Sequence, residues 1–154
     1  MFALNLPQYP IKVTKRDGRH FIFDDLRRKF VALTPEEWVR QHFVHYLTEQ
    51  KGYPTGLIAN EIQLNLNGTT KRCDTVVYDK QAHPRVIIEY KAPHIEITQK
   101  VFNQISRYNM VLHVDYLIVS NGLQHYCCRM NYKENTYEFL QDIPDYQQIP
   151  DVII

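Results

Sequence analysis

Cysteine, glycine and charge of a dominant sign are all scarce in this chain. Its three cysteines are odd in number, Cys127 and Cys128 are adjacent, and no C-x-x-C pair exists, which excludes a disulfide scaffold and a zinc ribbon. Five glycines and eight prolines among 154 residues exclude a repetitive or low-complexity chain. No apolar run approaches the ~20 residues of a membrane span. The first ten residues carry no basic start and no long apolar stretch, so no secretory signal is expected. The pattern G-x-x-x-x-G-K-[ST] is absent, which leaves no sign of a nucleotide-driven motor, and no G-x-S-x-G or Cys–His signature points to acyl chemistry. The expectation is a reduced, cytoplasmic protein with neither a membrane nor a nucleotide as partner.

What remains is the composition of one soluble domain, 44% hydrophobic and 23% charged, long enough to bury a core without staples. The net charge of +1 excludes a basic nucleic-acid coat, but it is unevenly spread. Residues 1–33 hold seven bases and three acids, residues 34–133 eleven and nine, and residues 134–154 five acids and no base. The basic start suits either a phosphate or plain solvent. The expected organisation is a single domain over 1–154: an N-terminal hairpin and arm (1–33), a core (34–122), and a C-terminal hairpin with an acidic tail (123–154).

Residues 11–15 and 20–24 alternate around Asp17-Gly18, a strong hairpin signal. Thr34-Pro35-Glu36-Glu37 opens a helix: Thr34 caps, Pro35 suits the first turn, and Glu37 fits a capping box. The helix runs to about Gln50, with Val39, Phe43, Val44, Tyr46 and Leu47 on its apolar arc and Arg40, unusually, inside it. Strands are predicted at 57–66, 72–78, 85–91 and 116–120, with a final hairpin at 124–130 and 136–140. A helix over 98–112 carries Val101, Ile105, Tyr108 and Leu112 on one stripe. The predicted class is α/β (α+β), a mixed sheet with flanking helices and a crossover.

The second and third of these strands are the informative ones. A loop centred between Gln81 and Ala82 pairs residues whose numbers sum to about 163 in an antiparallel hairpin. Asp74 then stands opposite Glu89, with Cβ atoms ~4.5–5.5 Å apart, and Lys91 shares their face. Opposed like charges need a compensating cation. A divalent metal, Lys91 itself in a structural cluster, or simple exposure to water each answer that need, although apolar Val76, Val77, Val86, Ile87 and Ile88 disfavour exposure.

Asp74, Glu89 and Lys91 in this order resemble the PD-(D/E)xK nuclease signature. The chain from 23 to 144 resembles the N-terminal nuclease domain of type I restriction enzyme R subunits, in a short form. Matching stretches are Leu33 to Glu37 with Val39-Arg40-Gln41, Lys71 to Asp74, Glu89 to Pro93, Gln104 to Asn109, and Ser120-Asn121-Gly122. Gln104 and Tyr108 fit the Q-x-x-x-Y element of the RecB-like branch. The resemblance implies a restriction-endonuclease-like αβββαβ core and a DNA phosphodiesterase using Mg²⁺, with Mn²⁺ able to substitute. Asp74, Glu89 and the Tyr90 carbonyl would hold the metal, and Glu37 occupies a position that reaches it in many such nucleases. Lys91 would position or deprotonate water, and Gln104, on the inner stripe of its helix, would meet a phosphate or water or form only the rim of that stripe. Arg72, Tyr108 and Arg40 are the candidate nucleic-acid contacts; for Arg72 a surface ion pair serves as well, and for Tyr108 simple packing. Cutting both strands would call for a homodimer or a partner protein. The competing expectation is a non-catalytic nucleic-acid- or protein-binding module that retains the fold.

Overall fold

The computed structural model describes residues 3–150; the outer ends of the N-terminal arm and of the acidic tail lie outside the described residues. Three short strands come first, β1 (Val13–Arg16), β2 (Arg19–Asp24) and β3 (Lys29–Ala32), followed by helix α1 (Pro35–Gln50). Then come β4 (Ile58–Leu66), β5 (Thr69–Tyr78), β6 (Pro84–Tyr90), helix α2 (Gln99–Met110), β7 (Tyr116–Ser120), β8 (His125–Asn131) and β9 (Thr136–Leu140). The stretch from α1 to β7 is αβββαβ, and the class is α+β.

Strands β1–β3 form an antiparallel sheet of their own, and β4 to β9 form a six-stranded sheet in sequence order. Only β6 and β7 in that sheet run parallel, because α2 carries the chain across between them. The expected N-terminal hairpin is therefore two strands of a three-stranded sheet. Asp24 explains the missed strand: its carboxylate accepts from the N–H groups of Leu26 and Arg27 at 2.8 and 2.9 Å, closing a turn that sends β3 back along β2. The Asp17-Gly18 and Asn67-Gly68 turns both have two residues of positive φ, the geometry that matches strand twist in two-residue hairpins.

The helices cover opposite faces of the large sheet. Val39, Phe43 and Leu47 of α1 pack with Ile58, Val77, Val86, Ile88, Tyr90 and Ile118. On the other side Phe102 of α2 and the following Leu112 pack with Leu64, Cys73, Val76, Ile87, Leu117 and Val119. Each such aliphatic side chain withdrawn from water contributes roughly 1.5–3 kcal/mol. The three cysteines are buried and free.

Helix α1 follows its sequence pattern. Thr34 Oγ1 accepts from Glu37 N–H at 3.0 Å, although the Glu37 side chain turns to other partners and leaves the capping box half made. Helix α2 is rotated from the expected stripe. It buries Phe102, Ser106 and Asn109, while Val101 and Ile105 lie at the margin and Tyr108 is 64% exposed. Two polar residues can face inward because each is bonded: Ser106 Oγ donates to the Asn103 carbonyl, and Asn109 Nδ2 to that of Ile105.

Candidate active site

Residues of one parity should stay on one face of a strand. In the β4–β5 hairpin they do not. Ile58 belongs to the α1-side core and Leu64 to the α2-side core; Val77 and Cys73 divide in the same way. The crossing point is Glu61 opposite Asp74, where the pairing skips one position and resumes in the same register. Glu61 adopts φ 53°, a left-handed backbone that is costly for a residue with a Cβ. Arg40 of α1 holds the crossing. Its Nη1 donates to Glu61 Oε1 at 2.8 Å and to the Asp74 carbonyl at 2.9 Å, replacing ladder bonds lost there.

The β5–β6 register pairs Thr75 with Ile88, Val76 with Ile87 and Val77 with Val86. One step further sets Asp74 across from Glu89, on the α2 side with Val76 and Ile87. The Asp74 carboxylate accepts from the Tyr90 N–H at 2.9 Å. Burial first, then the charge of Asp74 and a hydrogen bond between the two carboxyls, push the Glu89 pKa up to about 8. Lys91 extends the strand by one residue, its N–H donating to the Ser120 carbonyl at 2.9 Å, and is half-buried two positions after Glu89. Its ammonium makes no hydrogen bond or ion pair among the described residues. Tyr90 turns its ring to the α1 side, where its hydroxyl donates to Thr75 Oγ1 at 2.9 Å.

A residue outside the expected set completes this cluster. The side chain of Lys71 is only 4% exposed; its Nζ donates to Glu89 Oε1 at 2.6 Å and to Asn109 Oδ1 at 2.8 Å. The exposed ring of Tyr108 covers it, 4.4 Å from ammonium to ring centre. The α2 residues that reach this cluster, both through Lys71, are therefore Asn109 and Tyr108. Gln104 is exposed and makes no hydrogen bond among the described residues.

Glu37 and Arg40 form a separate cluster on the α1 side. Glu37 accepts from Arg40 Nε and Nη2 at 2.8 and 2.6 Å, from Arg27 Nη2 at 2.8 Å and from Gln41 Nε2 at 3.0 Å. Burial alone would raise its pKa, but Arg40, Gln41 and Arg27 hold it below the ordinary value. Arg40 is 7% exposed, so it braces the strands instead of presenting its charge to a ligand. Arg72 is exposed, with Nε 2.8 Å from Glu61 Oε2. Among the described residues, no group of three or more His, Cys, Asp and Glu side chains converges as a cation cage.

Residues 35–144 match the family model of the type I restriction enzyme R protein N terminus. The chain belongs to this family. Of solved structures, a fragment described as the HsdR subunit of a type I restriction enzyme from Vibrio vulnificus YJ016 is 18% identical, with TM-score 0.52 over 76% of this chain and 24% of that one. At that identity it supports the fold alone. A DrdV–DNA complex is also 18% identical, with TM-score 0.44 over 71% of this chain and 11% of that one, and adds nothing to the fold assignment. The chain thus spans about a quarter of the first structure's length and about a ninth of the second's. No curated protein matches it. The family match covers α1 through β9 and leaves β1–β3 outside. No helix among the described residues is long and apolar enough to cross a membrane.

Proposed function

We propose that the α2 side of the sheet hydrolyses DNA phosphodiester bonds with one divalent cation, Mg²⁺ or in its place Mn²⁺, held by Asp74 and Glu89. The observation that carries this reading is the pair of opposed carboxyls beside the buried apolar Val76 and Ile87, one of them pushed up to about 8 by burial and by the other. Such a pair fits the ion: Mg²⁺ takes one or two carboxylates and completes its shell with water and substrate phosphate. The Tyr90 carbonyl, between Glu89 and Lys91, is the proposed third ligand. When bound, the cation supplies an acidified water and a polarised phosphate. The Tyr90 N–H orients Asp74, Lys71, itself held by Asn109, orients Glu89, and Lys91 supplies positive charge to the developing phosphorane. Glu37 has no place in this site, because Arg27, Arg40 and Gln41 occupy both its oxygens.

DNA as the polymer rests on the family, that of a restriction-enzyme protein. One such site cuts one strand, so double-strand cleavage would need a second copy or a partner. The setting is the cytoplasm, where three free thiols stay reduced. The Lys71–Glu89 ion pair favours a second reading, in which an ammonium permanently fills the site and the domain only binds.

The test is incubation with linear, circular and single-stranded DNA in Mg²⁺, Mn²⁺ or EDTA, with Asp74→Ala and Lys91→Ala as controls checked for folding. Metal-dependent cleavage lost in both variants supports the reading, and the preferred substrate distinguishes endo- from exonuclease action. No cleavage together with no Mn²⁺ binding overturns it in favour of the binding module.

A further inference from the structure

The small N-terminal sheet precedes the family match and has a face that neither hydrophobic core uses. Alternation along β2 buries Ile22 and Asp24 completely and turns Arg19, Phe21 and Phe23 the other way. The register adds their neighbours on that outer face. Arg16 stands across from Arg19, Phe30 across from Phe23, and Lys12, whose carbonyl accepts from the Phe23 N–H, beside Phe23. The result is three half-buried phenylalanines interleaved with three exposed cations. Phe23 and Phe30 meet edge to face at 5.2 Å; the Lys12 ammonium lies 5.2 Å from the Phe23 ring centre and the Arg16 guanidinium 5.5 Å from that of Phe30.

Two features of this face call for a ligand. Arg16 and Arg19 are like charges at opposed positions of a strand pair, an unfavourable pairing that an anion relieves. Among the described residues neither they nor Lys12 form an ion pair. Half-exposed rings alternating with cations that have no acidic partner among the described residues match one polymer, whose bases offer flat faces and whose backbone offers phosphates.

We propose that the outer face of β1–β3 binds single-stranded nucleic acid, with bases against Phe21, Phe23 and Phe30 and phosphates at Lys12, Arg16 and Arg19. A duplex hides the base faces that the rings need, so the face distinguishes single from double strands. Binding here needs no metal and stands apart from the proposed hydrolysis.

The experiment is fluorescence anisotropy of a labelled 15-nucleotide oligothymidine in EDTA, over a series of salt concentrations. The expected result is binding that an unlabelled duplex of equal length competes for at least tenfold more weakly. In the double variant Arg16→Gln/Arg19→Gln, affinity falls at least tenfold, and the slope of log affinity against log salt becomes shallower by about 1.4, or 0.7 per lost phosphate contact. A second readout uses the unaltered protein: photocross-linking of a 5-iododeoxyuridine oligomer, expected on Phe21, Phe23 or Phe30. An oligoribonucleotide arm tells RNA from DNA. The proposal is overturned by no binding, by unchanged affinity in the folded double variant, by equal competition from duplex, or by cross-links confined to other residues. No binding would point the face towards a different partner, such as an acidic protein; the other outcomes would place nucleic-acid binding elsewhere or in duplex form.

Discussion

On the α1 side of the large sheet one cluster of buried charges is matched: Glu37 lies between Arg40 and Arg27, Arg40 also reaches Glu61, and Asp24 takes Arg27 and Asn60. On the α2 side two carboxyls face each other, one ammonium, on Lys71, meets Glu89, and a second, on Lys91, has no partner among the described residues. Both clusters are partly withdrawn from water, so the difference lies in charge balance and not in burial. A balanced cluster lowers the pKa values of its acids and braces the fold. An unbalanced one raises the pKa of an acid and costs stability, which proteins tolerate where binding or chemistry needs it. Arg40 joins the two sides, since the guanidinium that neutralises Glu37 also holds the Asp74 carbonyl.

The largest effect that would sharpen this contrast is on activity. Asp74→Asn should bring DNA cleavage below detection while the protein unfolds at the same temperature or higher, as read by a nuclease assay alongside calorimetry. Next comes Arg40→Met, which strands Glu37 and Glu61 and should cost about 3–5 kcal/mol in urea denaturation, the usual loss when one partner of a buried ion pair is removed. A cost under 1 kcal/mol would break the comparison.

Stability against pH should separate the two sides by sign. Asp24 and Glu37 titrate below their ordinary values, so the folded state binds fewer protons there, and their stabilisation is lost as pH falls through that acid range. Glu89, raised from 4.5 to about 8, retains a proton that the unfolded chain releases, so in EDTA stability falls as pH rises between these values. Glu89→Gln should flatten that alkaline slope and leave the acid one intact. Smaller again is Lys71→Met, which removes the ammonium bonded to Glu89; Mn²⁺ should then raise the melting temperature more than in the unaltered protein. The smallest is Gln104→Ala, whose exposed side chain predicts a change within about 0.5 kcal/mol.

The pairing of Asp74 with Glu89 was legible in the sequence because antiparallel register follows from loop length, and the loop at 79–83 keeps it, with an irregularity only between Val77 and Tyr78. Lys71 was not legible. Strict alternation places a residue three positions before Asp74 on the opposite face, and only the crossing at Glu61 brings it round. Nothing in the letter Glu at position 61 signals a left-handed backbone. The face of α2 was misjudged for a related reason. Val101, Ile105 and Tyr108 set an apolar stripe, whereas the helix turns by about one residue so that Asn109 can accept from Lys71, burying polar groups that hydropathy alone would expose. Strand β3 was hidden behind the Asp24 turn, where Asp24 to Lys29 read as a charged arm.

Calorimetric titration of Mn²⁺ into the metal-free protein asks directly whether Asp74 and Glu89 hold a metal. That assignment predicts one bound ion per chain, lost in Asp74→Asn and in Glu89→Gln with both variants folded. An ion retained equally in both variants, or none bound by the unaltered chain, would contradict it.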